Sequence, residues 1–187
     1  MLPVSDHFGS ASLSDSFLDA LLAGSKITAS LVVDSAGETQ DKQGGSKLLG
    51  GPTDLLWLRA LRRNANLVVT SGKTYRAEKY RMPKSANLAV FSRSRLSPPE
   101  GLDNPQRFIE LGEVPSIPQV VQTLAKDYSR IHLELGPSTL VPTCKELELG
   151  IWISSLEPTG VTAFCDKHQL SVVHEISAKD LVIAYCR

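Results

Sequence analysis

The sequence predicts a three-layer α/β domain whose mixed sheet is mostly parallel and ends in an antiparallel C-terminal hairpin. Short β-branched runs alternate with amphipathic stretches through most of the chain. Two of those runs, 67–70 and 130–135, stop at small-residue turns that lead onward, Ser71-Gly72 and Gly136-Pro137-Ser138-Thr139. The segments 151–155, 170–176 and 181–185 then read as strands with no helix between them, the pattern of an antiparallel edge on a parallel sheet.

Residues 1–25 read as an N-terminal extension, polar over 1–11. It carries one short helix through Phe17, Leu18, Leu21 and Leu22, capped by Ser12 or Ser14 and closed by Gly24. The domain proper spans 26–187. Its first strand, 26–33, ends at Asp34, and a long polar loop, 38–51, follows. Such a loop in a compact domain is either functional or a solvated insertion. Pro52 suits the first turn of a helix, and Leu55, Trp57, Leu58 and Leu61 give that helix, 53–63, an apolar stripe. Arg59, Arg62 and Arg63 fall near its end, where cations complement the helix dipole.

The strand 67–70 runs into Ser71-Gly72 and then a polar, positively charged loop. In open α/β sheets the carboxyl ends of strands are where phosphorylated ligands sit. An ordinary strand-to-helix connection has the same look, so this turn alone does not decide. A strand at 87–92, a proline-containing connection at 93–106 and a brief strand at 107–111 come next. Ser116 and Pro118 open a helix over 119–126. The strand 130–135 meets a second small-residue turn at Gly136, and a helix from Leu140 to about 147 follows it.

Equal numbers of basic and acidic residues, 20 of each, argue against nucleic-acid or membrane-surface binding by bulk charge. No stretch approaches the ~18 apolar residues of a membrane span. Cys144, Cys165 and Cys186 are far apart and odd in number, which supports neither a disulfide framework nor a zinc ribbon. With no address motif, a cytoplasmic setting is the expectation. The sequence has no G-x-S-x-G, no phosphate loop of the G-x-x-x-x-G-K-[ST] type and no G-x-G-x-x-G. His7, His132, His168 and His174 form no cluster of metal-ligand spacing, and His132, within a strand, reads as a packed, hydrogen-bonded imidazole. Cys144 reads as a buried thiol. What remains is one carboxylate and two phosphate-friendly turns at strand ends. That inventory suits an enzyme whose cofactor supplies the reactivity.

Residues 61–78, Leu-Arg … Asn-Leu-Val-Val-Thr-Ser-Gly-Lys-Thr-Tyr-Arg-Ala-Glu, resemble the L-R-A-x-A-D-x-x-L-V-G-x-G-T-x-R-A-[DE] signature of the riboflavin-biosynthesis reductase domain. This dihydrofolate-reductase-like module forms the C-terminal half of bifunctional deaminase-reductases. Residues 44–54 resemble the family's S-G-x-(x)-S-G-P-x-D/A segment, and 134–138 its E-G-G-P-x motif. The resemblance runs from about residue 26 to the end of the chain. It implies NADPH as hydride donor, a phosphoribosylamino-pyrimidine as substrate and a homodimer formed through a sheet edge. It assigns Leu48, Thr74, Glu78, Gly136, Pro137, Ser138, Thr139, Leu140 and Val141 to the cofactor, with Arg76 as the local cation for a 2′-phosphate. Asp34, Ser46, Arg62 and Glu134 match positions that meet the substrate. Leu135 replaces a family glycine and is expected to crowd the backbone there. The family's S-L-D-G is Val32-Val33-Asp34-Ser35 here. Two further readings stand beside the first: a non-catalytic ligand-binding relative, and a reductase of an unrelated carbonyl or pterin-like compound.

Overall fold

A computed structural model of the chain describes residues 14–42, 44–46, 48–178 and 180–187. The expectations for 1–11, for Ser12 as a cap and for His7 lie outside them. Eight strands form one sheet among the described residues. They are β1 (Ile27–Val33), β2 (Leu67–Ser71), β3 (Asn87–Phe91), β4 (Phe108–Gly112), β5 (Ile131–Glu134), β6 (Ile151–Ser155), β7 (Val172–Ala178) and β8 (Leu181–Cys186), in the order β4-β3-β2-β5-β1-β6-β8-β7. Every pairing from β4 through to β6 is parallel, and β8 runs antiparallel to both β6 and β7. The expected mixed sheet with an antiparallel end is therefore present.

Helices cover both faces. On one, α4 (Ile117–Asp127), α5 (Pro137–Glu146) and α6 (Pro158–His168) bury Val121, Leu140, Val141 and Phe164 against β1, β2, β5 and β6. On the other, α1 (Asp15–Leu22) and α2 (Gly51–Arg63) pack over β6, β8 and β7 through Leu18, Leu22, Trp57 and Leu61. Each such side chain, once fully buried, contributes about 1.5–3 kcal/mol. The short helix α3 (Gly72–Ala77) and the segment after it cover β2 and β3 with Tyr75, Tyr80 and Leu96. Ser14 caps α1 by accepting the Phe17 amide at 3.3 Å.

Two elements differ from the sequence expectation. The stretch after Gly72 is helical rather than a loop, because the Ser71 hydroxyl accepts the Thr74 amide at 3.2 Å and starts a turn there. The last strands do have a helix between them: α6 links β6 to β7. Its Pro158 sits in the first turn, and its apolar residues Val161, Phe164 and Cys165 follow the i, i+3, i+4 spacing. Gly160 disguises it as a loop. A Cβ at that position would lie 2.1 Å from the Asp34 carbonyl oxygen, so close packing, not chain reversal, demands the glycine.

Candidate functional site

With β2, β5 and β1 side by side at the middle of the sheet, the segments following them converge at one edge. They enclose a cleft of about 560 Å³. One wall is the loop after β1, from Glu38 to Gln40. Ser71, Lys73 and Thr74 at the start of α3 form another, with Arg93 beyond them, and the first turn of α5, from Gly136 to Thr139, closes the third side. Gly72 lets α3 start hard against the end of β3, since a Cβ there would fall 2.5 Å from the Ser92 hydroxyl. Gly136 is different: its backbone is extended (φ −62°), and an added Cβ would meet nothing within 4 Å. The glycine leaves open room beside the first turn of α5. That turn brings no side-chain cap, and the amides of Thr139 and Leu140 point back to the Gly136 carbonyl at 3.0 and 2.8 Å.

Thr74, Gly136, Pro137, Ser138 and Thr139, expected at the cofactor, all line this cleft. Leu140 and Val141 do not face it. The turn of the helix carries both side chains into the core. Arg76 is also absent from the lining. Its guanidinium lies 3.4 Å from the Ser92 hydroxyl and 3.3 Å from that of Ser94, while Lys73 and Arg93 are the cations on the wall. Arg93 pairs with Glu113 at 2.9 Å on the exposed rim. Glu78 and Ser46, assigned to cofactor and substrate, instead meet each other: one Glu78 oxygen accepts the Ser46 amide at 2.7 Å and its hydroxyl at 2.9 Å. This latch ties the long polar loop to the end of α3. Leu48, on the same loop, is 71% exposed. Asp34 spends one carboxylate oxygen on its own turn, accepting the amides of Ala36 and Glu38, both at 2.9 Å. Leu135 turns into the core and is 1% exposed, so it does not crowd the backbone at Gly136.

Behind the cleft a polar seam runs along the α2 face of the sheet. Thr28, Ser30, His132, Glu134 and Thr70 lie between two apolar clusters, the one under α2 and the one under Tyr80, and belong to neither. Arg62 and Tyr80 reach in from the two sides and meet at Glu134. The Arg62 Nε and Nη2 donate to the two carboxylate oxygens at 2.7 and 2.6 Å, a bidentate pair. The Tyr80 hydroxyl donates to the second oxygen, and its ring lies 4.7 Å under the guanidinium carbon. Arg62 thus sits in the last turn of α2, as expected, yet its length brings it to the end of β5. Thr70 donates to the Glu134 carbonyl at 2.7 Å.

Burial alone would push the Glu134 carboxyl up, but the Arg62 charge and its hydrogen bonds hold it at about 2. For Arg62 the burial penalty is likewise outweighed by Glu134, which leaves the guanidinium more firmly protonated. Tyr80 is pushed well above the usual phenol range by burial and by the neighbouring carboxylate. His132 is wholly buried and drawn down to about 4, chiefly by burial, so the ring is neutral near pH 7. Further along this face, Asp54 in the first turn of α2 accepts the Ser154 hydroxyl at 2.5 Å, and burial raises its carboxyl. Tyr80 and Lys73 carry no local sequence signal that separates them from ordinary core and surface residues. Among the described residues no group of three or more His, Cys, Asp or Glu could hold a metal, and no helix is long and apolar enough to cross a membrane.

No protein-family model matches the chain, and no curated protein matches it in sequence. Solved structures do match in shape. Acinetobacter baumannii RibD shares 16% identity at a TM-score of 0.68, over 91% of this chain and 60% of that one. A pyrimidine reductase-like protein from Corynebacterium diphtheriae shares 15% at a TM-score of 0.62, over 97% of this chain and 96% of that one. Enterococcus faecalis dihydrofolate reductase, solved with NADP(H), shares 12% at a TM-score of 0.56, over 86% and 93%. The chain therefore spans about 60% of the length of the Acinetobacter protein. These likenesses establish the fold as dihydrofolate-reductase-like.

Proposed function

We propose that this chain is an NADPH-dependent reductase of a phosphoribosylamino-pyrimidine. The observation that carries the reading is a junction: Glu134 in the polar seam and Gly136 on the cleft wall stand two residues apart at the end of β5. A dinucleotide in the cleft would lie against the seam, where a second molecule has charged and hydroxyl groups to meet. The cleft suits such a cofactor. Gly136 leaves room for a close approach to the α5 backbone, and Lys73 and Arg93 supply positive charge for phosphate groups. When bound, NADPH would supply the hydride. Thr74 and the first turn of α5 would hold it, Lys73 would favour its 2′-phosphate, and the Ser46–Glu78 latch would keep the polar loop beside it. A cytoplasmic homodimer completes the proposal; a monomer by light scattering at micromolar concentration would remove the dimer.

A specific observation favours a second reading, that of a ligand-binding relative without turnover. Arg62 and Glu134 already satisfy one another, and Asp34 serves its own turn. Following NADPH oxidation with the phosphoribosylamino-pyrimidine present separates the two. Substrate-dependent oxidation is expected; cofactor binding without it would favour the second reading.

A further inference from the structure

The seam contains one side chain whose role the reading above leaves open. His132 stands at the centre of β5, fully buried, opposite Thr28 in the parallel register with β1. Its Nδ1 is 2.9 Å from the Thr28 hydroxyl. Its Nε2 is 3.2 Å from the Ser30 hydroxyl and 3.5 Å from a Glu134 carboxylate oxygen. A neutral imidazole carries one proton, so two arrangements are possible. With the proton on Nδ1, the Nε2 lone pair would point at a carboxylate that bears a full negative charge, an arrangement that costs energy in a dry site. With the proton on Nε2, that N–H lies toward both Glu134 and Ser30, and the Thr28 hydroxyl donates to Nδ1. The second arrangement removes that repulsion and keeps the short Thr28–Nδ1 contact, at the expense of the longer 3.4 Å bond that the Thr28 hydroxyl would otherwise donate to the Ile131 carbonyl.

It also has a consequence for Ser30. A hydroxyl whose oxygen already accepts from Nε2–H has its own hydrogen left to give. Ser30 is only half-buried, on the α2 face of β1, in the gap between the two apolar clusters. We propose that Ser30 is a substrate-contacting hydrogen-bond donor whose polarity is set by His132, a positioning residue held by Glu134 and Thr28. This rests on the reductase reading. It narrows the substrate to one that places an acceptor at this point of the seam, a carbonyl, hydroxyl or phosphoryl oxygen rather than an amine.

The test joins two measurements on the whole chain. Nitrogen-15 NMR of the histidine rings reports the tautomer directly. The Nε2–H form of His132 is expected near neutral pH, and the Nδ1–H form would overturn the proposal. Titration of the phosphoribosylamino-pyrimidine into NADPH-loaded protein then compares wild type with Ser30→Ala and Ser30→Thr. Ser30→Ala should bind it about tenfold more weakly, Ser30→Thr should regain most of the loss, and the NADPH dissociation constant should stay the same in all three. Equal pyrimidine binding by wild type and Ser30→Ala, or none by either, overturns the proposal. NADPH binding reports on the reductase reading: its absence removes that reading and the Ser30 contact that rests on it, whereas NADPH binding with equal pyrimidine affinity in wild type and Ser30→Ala overturns the Ser30 contact alone.

Discussion

The cleft, at the ends of β1, β2 and β5, and the seam, along the α2 face of the same strands, are built in opposite ways. The cleft is walled by a glycine with open space beside it, a first helical turn without a side-chain cap, and cations at a rim. In the seam, side chains from α2, β1, β5 and the segment after α3 bind one another. A site of the first kind keeps its recognition groups for a ligand. One of the second kind keeps its geometry in the absence of any ligand, and a partner must use what the network leaves over. Cofactor binding should therefore tolerate changes in the seam, while the fold should not.

The strongest way to break this contrast is Glu134→Ala. Removing the carboxylate leaves Arg62 largely buried without its partner, which should cost about 3–5 kcal/mol. For a domain of this size the midpoint of thermal unfolding should fall by about 10 °C. If calorimetry shows a change of a degree or less, the seam is not the rigid element described. NADPH affinity measured below the new midpoint should be close to that of wild type.

Acid comes next. In the unfolded chain His132 takes up a proton near its ordinary value of 6.5, whereas in the fold it does so only at about 4. The unfolded state thus binds the extra proton between those values. Stability is whole above pH 6.5 and is lost as pH falls through the window, by on the order of 3 kcal/mol. Glu134 acts lower down, because its folded value is depressed from 4.5 to about 2. Its contribution is whole above pH 4.5 and is lost toward pH 2. Urea unfolding of His132→Gln should show a flatter dependence between pH 6.5 and 4 than wild type, with the loss below pH 4.5 retained. Parallel curves would show that the imidazole is not buried as neutral.

Thr74→Val probes the cleft with a smaller effect. The Thr74 hydroxyl lies 3.0 Å from that of Ser71 on the cleft wall. Losing it should weaken NADPH about tenfold, near 1.4 kcal/mol, with the unfolding midpoint almost unchanged. An unchanged dissociation constant would place the cofactor elsewhere.

These two regions also differ in how far they can be read from the chain. The cleft is written in local patterns: a β-branched run, then Ser71-Gly72 or Gly136-Pro137. Each is set by a few adjacent residues, so both turns and five of the lining residues are legible. The seam is set by strand order. Arg62 and Glu134 are 72 residues apart, Tyr80 and Glu134 are 54 apart, and Thr28 and His132 are 104 apart. Only the placement of β5 between β2 and β1 brings them together. Nothing local marks Tyr80 as the residue that closes over Arg62. For the same reason Ser46 and Glu78 are legible as polar residues near strand ends but not as partners. The helix α6 was hidden by Pro158 and Gly160, which serve a helix start and a close contact with Asp34 yet resemble a turn.

The most direct test of the central claim, that the cleft holds NADPH, is titration of the purified chain with the cofactor, by calorimetry or by nicotinamide fluorescence. Saturable binding is predicted, of similar strength in wild type and Ser30→Ala and weaker in Thr74→Val. No binding by the wild type at millimolar NADPH would contradict it.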